Sequence, residues 1–218
     1  MWNWLNQHMQ LLSLPIKVGT FVVWWGFMQM LLNNYLRQRS AKLVINRGNG
    51  QGIDAVCVVS NMSEDPVFIE ALIGVLETSE GRYTFDLTDF TDKNRSKETQ
   101  EQSSDELELR QVTRQGPLSQ GQYVQFGSFR ELIEGVTGHS GIAIDARCIS
   151  KEGIAFKSFE LRLIALYGPD DNLIGAMRRF HLSKNNNGDY ELAPRERTKQ
   201  FYSRWKQRKV CRWMKDMA

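Results

Sequence analysis

A single long apolar segment near the N-terminus constrains this chain more than any other feature. Residues 11–36 are mostly apolar, and their densest part, residues 18–32, reads VGTFVVWWGFMQMLL. A helix needs about 20 apolar residues to cross the ~30 Å of hydrocarbon in a bilayer. The segment reaches that length when Lys17, Asn33 and Asn34 lie at the two interfaces. We therefore predict a membrane-anchoring helix within residues 1–40.

The tryptophans of this segment leave other arrangements open. Trp24 and Trp25 lie near its middle, whereas tryptophan is enriched at membrane–water interfaces. A helix that lies flat in the interface is therefore the alternative to a single span, and a buried core helix is a third possibility. A secretory signal peptide is not predicted, because residues 1–14 contain no Lys or Arg.

The charges that flank the segment predict its orientation. Lys17 is the one basic residue before its densest part, whereas Arg37, Arg39, Lys42 and Arg47 follow closely. The end of a membrane helix that is richer in Lys and Arg faces the cytoplasm. We therefore expect the N-terminus outside and the rest of the chain in the cytoplasm.

The cysteines agree with that orientation. Cys57, Cys148 and Cys211 are an odd number in a chain too long to depend on disulfides. Cys57 and Cys148 lie in apolar, strand-like runs, where a free cysteine packs as a small hydrophobe. The alternative is a Cys57–Cys148 disulfide in a periplasmic body.

The chain changes its periodicity after the apolar segment. Beyond residue 42, apolar residues alternate with polar ones, as at 142–148 and 159–167, which is the pattern of half-buried strands. Turn-forming residues separate the runs, and those at 168–172 predict a hairpin. Short strands without alternating helices predict a mainly β, antiparallel sandwich over residues 41–193. The predicted strands are 42–47, 54–60, 66–77, 82–88, 107–113, 122–126, 142–149, 154–167 and 173–182.

The order of elements in residues 54–78 carries a resemblance. A strand is followed by Asn61-Met62-Ser63, then by Pro66 and a long strand. This order resembles many bacterial immunoglobulin-like modules. The resemblance implies an immunoglobulin-like β-sandwich and brings no functional motif with it.

Two segments interrupt the strand pattern. Residues 91–105 are polar and contain no apolar side chain, so we predict a mobile loop there. Ser128 is followed three residues later by Glu131, which is the capping-box pattern that opens a helix. We predict a short helix over residues 128–136.

A glycine-rich run follows the first predicted strand. Gly48, Gly50 and Gly52 have the spacing G-x-G-x-G, whereas a dinucleotide-binding fingerprint requires G-x-G-x-x-G at the start of a helix. We interpret the run as a flexible turn that links the membrane anchor to the β-domain.

The remaining polar motifs are weak. Residues 138–141 read GHSG and lack the final glycine of a nucleophile elbow, so a turn is predicted. Asp86, Asp89 and Asp92 have the chemistry to bind a hard cation, but a solvated loop is favoured. Three scattered histidines without a Cys-x-x-Cys pair predict no zinc site. No catalytic, cofactor or metal site is predicted.

The C-terminal segment is strongly basic. Residues 195–216 carry nine Lys/Arg and two Asp/Glu, a net charge of +7, so the rest of the chain carries −4 because the whole chain carries +3. At 100° per residue the basic side chains fall mainly on one side and the aromatic ones on another. Residues 194–218 are therefore predicted to form a basic amphipathic helix that contacts a membrane surface. A helix packed on the sandwich is the alternative.

These features predict a single-pass, non-enzymatic interaction or scaffolding protein. Its partners would be the bilayer with its anionic headgroups and a protein in a membrane complex, and nucleic acid is not expected. An envelope or secretion-apparatus component with its body outside the cytoplasm, and a membrane-bound enzyme, are the alternatives. The residues predicted to contact the membrane are Trp24, Trp25, Arg37, Arg39, Phe201, Arg204, Trp205, Arg208, Arg212 and Trp213.

Overall fold

The computed structural model describes residues 2–38, 41–88, 114–142, 144, 153–168, 172–185 and 189–215. In the first helix, side chains are described from residue 15 to residue 35. The chain divides into two compact units, Met1–Ser40 and Ala41–Ala218. We call the second unit the body.

The first unit is a single helix, α1, Trp2–Gln38. Its segment Pro15–Tyr35 has 21 residues and is long and apolar enough to cross a membrane. Pro15 removes one backbone donor, and the Thr20 hydroxyl donates to the Ile16 carbonyl oxygen at 2.8 Å. The prediction of one apolar N-terminal helix is confirmed.

The body is mainly β, and its described strands form two antiparallel sheets. The smaller sheet has the order β1-β2-β6, and the larger has the path β10-β8-β7-β3-β4, with β5 paired to β3 and β9 paired to β8. The strands are β1 Leu43–Arg47, β2 Val56–Asn61, β3 Val67–Thr78, β4 Arg82–Asp86, β5 Gly116–Leu118, β6 Tyr123–Ser128, β7 Phe156–Tyr167, β8 Asn172–Lys184, β9 Tyr190–Pro194 and β10 Lys199–Phe201. Among the body residues that the structure describes, two α-helices accompany the strands, α2 Phe129–His139 and α3 Arg204–Lys215, together with one 3-10 turn, Gly52–Asp54.

The main core lies on the inner face of the larger sheet, which the smaller sheet and α2 share. Phe129 of α2 meets the rings of Phe159 and Phe180 edge-on, at centroid distances of 6.3 and 4.7 Å. The helix begins as predicted, because Ser128 and Glu131 form the reciprocal bonds of a capping box. Burial of these aromatic rings fixes α2 against the strands.

A bulge in β3 divides its apolar residues between the two faces of the larger sheet. The register with β7 shifts between Ile69 and Ala71, so Glu70 is the extra residue. Ile69 belongs to the inner core, whereas Ala71 and Ile73 belong to a second cluster on the opposite face. The apolar residues that alternate without a break in the sequence of β3 therefore pack on two separate surfaces.

Helix α3 covers that opposite face, which we call the outer face. Val210 and Trp213 of α3 are buried with Phe201 of β10 and Ile164 of β7. The larger sheet is consequently covered by protein on both sides of its central strands. This explains why β3 and β7 are buried along most of their length.

The observed elements agree with most of the predicted ones and differ at the C-terminus. The hairpin of β7 and β8 is confirmed, with Phe159 opposite Phe180. The predicted helix over 194–218 begins only at Arg204, because Tyr190–Pro194 and Lys199–Phe201 form strands that pair with β8. Strand β5 was not predicted either. Three predictions lie outside the described residues: strand 107–113, most of strand 142–149 and the loop 91–105.

The glycine-rich run lies inside the body and does not link it to the anchor. It connects β1 to β2, where Gly48 N–H donates to the Val56 carbonyl oxygen at 2.7 Å. Gly50 has a φ of +117°, and a Cβ there would stand 2.6 Å from Ala55 Cα. The run is a tight, sterically required turn.

Candidate membrane-contacting site

The apolar segment of α1 is exposed along its described length. Every described side chain from residue 15 to residue 35 is exposed, including Trp24 and Trp25. The Phe21 and Trp25 rings lie 6.3 Å apart, one turn from each other. Of the predicted flanking charges, Arg37 lies in α1 with its side chain undescribed, and Arg39 lies outside the described residues.

The exposed side of α3 is basic. The helix carries six Lys/Arg and no Asp/Glu. Trp205 is 82% exposed, and the Arg208 guanidinium lies 5.6 Å from the centre of its indole ring. Arg208 and Arg212 line a shallow depression of about 340 Å³ together with Gln207, Cys211 and Lys215. Arg204 opens the helix, and its side chain is not described.

Two of the aromatic residues predicted to contact a membrane are packed inside the body. Trp213 is only 3% exposed and meets Phe201 edge-on at 4.9 Å. The Arg162 guanidinium of β7 lies 5.0 Å from the centre of the Trp213 ring. Phe201 and Trp213 thus anchor α3 to the sheet. Their burial does not agree with the prediction that these two side chains contact a membrane.

Gly175 of β8 is the position that lets α3 approach the sheet. A Cβ at this residue would stand 2.7 Å from Val210 Cγ2 and 3.0 Å from Trp213 Cζ3. Any side chain would therefore push the helix away. The close contact orients the opposite side of α3, with Trp205 and Arg208, toward solvent.

Beside α3, a buried charge cluster lies on the outer face. Glu160 of β7 is bonded at 2.7 Å by both Arg162 and Arg179, and at 3.1 Å by Arg82. Burial alone would raise the pKa of Glu160, but the hydrogen bonds from Arg179 and Arg162 hold it below its ordinary value. This cluster is not evident from the sequence, because the alternation of β7 makes Glu160 and Arg162 look solvated.

The remaining polar motifs are structural. The Asn61 amide is buried and donates to the carbonyl oxygens of Asp65 and Leu118, at 3.0 and 2.9 Å. His139 ends α2 and stacks on Phe85 with 3.6 Å between ring centres, and Gly141 follows in a turn with a φ of +72°. Asp86 ends β4, whereas Asp89 and Asp92 lie outside the described residues. Among the residues with described placement, no group of three His, Cys, Asp or Glu is arranged to hold a metal ion.

Cys57 is a free thiol buried in the core. Burial raises its pKa to about 12, against smaller opposing effects of the Arg114 and Arg178 charges. Cys211 is free and exposed on α3, and Cys148 lies outside the described residues. Cys57 therefore behaves as an apolar core residue, as the sequence predicted.

The fold and these surfaces define the class of protein: a mainly β chain with antiparallel sheets, one apolar N-terminal helix able to cross a membrane, and a basic C-terminal helix. No protein-family model, curated protein or solved structure matches the chain.

Proposed function

We propose that this chain is a single-pass, non-enzymatic membrane protein that holds its β-domain at the cytoplasmic surface as an interaction or scaffolding module. The observation that carries the proposal is the apolar segment Pro15–Tyr35, whose described side chains are all exposed. Exposed Phe21, Trp25 and Leu32 are costly in water and favourable in hydrocarbon. A bilayer supplies the apolar surroundings that this helix requires.

The distribution of apolar residues around α1 favours a span over a flat-lying helix. At 100° per residue, Ile16 and Val23 point to one side of the axis, whereas Val18, Phe21 and Val22 point to the opposite side. An interfacial helix needs a distinct polar side, which this segment lacks. A spanning helix is surrounded by lipid and needs no such side.

The basic side of α3 supports a second contact with the same membrane. Exposed Arg208, Lys209 and Arg212 each contribute about 1 kcal/mol near an anionic leaflet. Trp205 adds an amphipathic ring suited to the headgroup level. Because α3 and α1 belong to one chain, the second contact forms at a high effective concentration.

The interior of the body supports its proposed location and its proposed fold type. The free Cys57 supports a reducing, cytoplasmic location for the body, as do the basic residues after α1. The core shared by two antiparallel sheets supports an immunoglobulin-like sandwich. The protein partner in the membrane complex would dock on this body.

Topology labelling tests the location. A Glu80→Cys variant places a thiol in the exposed turn between β3 and β4, in a Cys148→Ser/Cys211→Ser background. A membrane-impermeant maleimide should label it only after the cells are lysed. Labelling in intact cells would place the body outside and overturn the cytoplasmic proposal. Release of the whole chain from membranes by alkaline carbonate would overturn the span.

The contact of α3 is tested in the full-length chain, because Pro194 and Lys199–Phe201 belong to the sheet and a 194–218 peptide would not reproduce that pairing. In a Cys148→Ser background, the emission of a fluorophore on Cys211 should shift to the blue in vesicles containing phosphatidylglycerol, and high salt should reverse the shift. Arg208→Glu/Arg212→Glu should abolish it. Lys157→Glu/Lys184→Glu makes the same charge change on exposed strand residues and should preserve it. Equal shifts in both variants would exclude α3 as the contact.

A further inference from the structure

The end of the body where the chain enters is identified by its hydrogen bonds. Lys42, the second residue of the body, accepts from Met62 N–H through its carbonyl oxygen at 2.8 Å. The side-chain amide of Asn61, the residue before Met62, donates to the Leu118 carbonyl oxygen of β5. Leu118 pairs with Val67 at the start of β3, and Val67 pairs with Tyr167 at the end of β7. We call this the tether end, because the body begins here at Ala41.

A row of apolar residues crosses the outer face at the tether end. Phe68 of β3 pairs with Leu166 of β7 and with Pro117 of β5, and Leu166 pairs with Leu173 of β8. Paired residues in antiparallel strands point to the same face, so the four side chains lie side by side. Phe68 is 43% exposed, Pro117 is exposed, and the two leucines are partly exposed. Helix α3 therefore leaves this row at least partly open to solvent.

The outer face changes from apolar to charged with distance from the tether end. The next row, Ala71, Ile164, Gly175 and Phe201, is covered by α3. Farther along, Glu160 pairs with Arg179, and Glu77 pairs with Ser158. The exposed apolar residues of the outer face are thus concentrated at the tether end.

The other exposed apolar side chains of the body follow the same trend. Met62 and Tyr123 are both exposed, and both lie at the tether end, because Tyr123 pairs with Ser60. Strand β10 runs toward this end, since Phe201 lies opposite Gly175 and Lys199 opposite Met177, so α3 begins there with exposed Trp205. Among the described body residues, the remaining large exposed hydrophobic side chains are Tyr202, which follows β10, and Met214, in the last turn of α3.

We infer that the row Pro117, Phe68, Leu166 and Leu173 is a lipid-contacting surface that inserts into the interface of the membrane that anchors α1. This inference rests on the proposed membrane anchorage. A bilayer interface is the occupant that fits: it accepts aromatic and apolar side chains, and its anionic headgroups complement the basic side of α3 on the same face. The contact would hold the body in one orientation, with the charged end of β3 directed away from the membrane.

Strand β3 offers a matched pair of probe positions. Phe68 and Glu77 are exposed on the outer face at opposite ends of the strand, roughly 25–30 Å apart at ~3.3 Å per residue. Phe68→Cys and Glu77→Cys are made in the full-length chain with Cys148→Ser and Cys211→Ser. Cys57 stays unlabelled as long as the body is folded, which checks each variant. A third variant, Met28→Cys, places the probe in α1.

Each variant carries an environment-sensitive fluorophore in vesicles of phosphatidylcholine and phosphatidylglycerol. Lipids with a nitroxide near the headgroup should quench the Phe68 probe several-fold more strongly than the Glu77 probe. Equal quenching overturns the inference, as does a Phe68 probe that is shielded from aqueous iodide but not quenched by lipid, because protein would then cover the row. Lipids with a nitroxide deep in the hydrocarbon should quench the Met28 probe. If they do, and the headgroup nitroxide does not quench the Phe68 probe, only this inference fails. If the Met28 probe is not quenched, the membrane anchorage itself fails.

Discussion

Gly175 of β8 lies directly beneath Trp213 of α3, and a Cβ at residue 175 would stand 3.0 Å from the indole. The same Cβ would stand 2.7 Å from Val210 Cγ2. The absence of a side chain at this position determines how closely the C-terminal helix packs. It also determines which side of that helix, with Trp205 and Arg208, is presented to solvent.

Gly175→Ala should therefore displace α3. Overpacking a filled site costs about 1–3 kcal/mol, so we expect a lower urea midpoint by circular dichroism and faster tryptic cleavage within α3. Gly138→Ala is the matched control, because no atom lies within 4 Å of a Cβ at that helical position. The control should stabilise the body by about 0.5–1 kcal/mol. An unchanged midpoint and unchanged cleavage in Gly175→Ala would contradict the close packing.

The aromatic residues of α3 show what periodicity can and cannot predict. The sequence correctly separates a basic side from an aromatic side, because that follows from 100° per residue. It does not say whether the aromatic side meets lipid or protein, since both are apolar. The deciding residue is Gly175, which is distant in sequence and looks like an ordinary glycine in a strand. The sequence pattern therefore predicts a membrane contact for Trp213, whereas its side chain is packed against the sheet.

Strand β3 shows a second limit. The alternation of Val67, Ile69, Ala71 and Ile73 predicts a strand, and the strand is confirmed. The same alternation predicts a single apolar face, whereas the bulge at Glu70 divides these residues between two faces. A bulge depends on the register with β7, which local sequence does not encode. For this reason the sequence alone does not predict that the larger sheet is packed on both of its faces.

Because of Glu160, the free energy of unfolding of the body should fall at acid pH. Its pKa is lowered in the folded body, so its stabilising contribution is present above the unfolded value of about 4.5 and is lost as the pH falls through the lower folded pKa. Glu160→Gln should flatten the pH dependence of the urea midpoint below pH 4.5. At neutral pH it should cost about 3 kcal/mol, because Arg162 would remain buried without its partner.

Glu196→Gln is the control for this change. Glu196 forms an ion pair with Lys199, but both side chains are about half exposed. Exposed pairs contribute little, so the neutral-pH midpoint should hardly move. If Glu160→Gln were equally neutral, the buried cluster would not stabilise the body.

Gln200 should protect β1, an edge strand of the smaller sheet, from pairing with another chain. Its side-chain oxygen accepts from Leu43 N–H at 3.2 Å, and its amide nitrogen donates to the Leu43 carbonyl oxygen. Gln200→Ala leaves both backbone groups unpaired and should cost about 1–3 kcal/mol in the urea midpoint. The exposed edge should also increase aggregation, measured by light scattering. Gln125→Ala, on the exposed side of β6, should change neither quantity, and equal effects would argue against edge protection.

Cys57 and Cys211 should differ sharply in reactivity. Cys57 is fully buried, and burial raises its pKa to about 12, so almost no thiolate forms near neutral pH. Cys211 is exposed on α3. At pH ~8 a maleimide should label Cys211 within minutes in the folded chain and Cys57 only after unfolding in urea, as resolved by peptide mass spectrometry. Rapid labelling of Cys57 in the native chain would show that the core between the two sheets opens readily, contrary to the packing of β2 against the inner face.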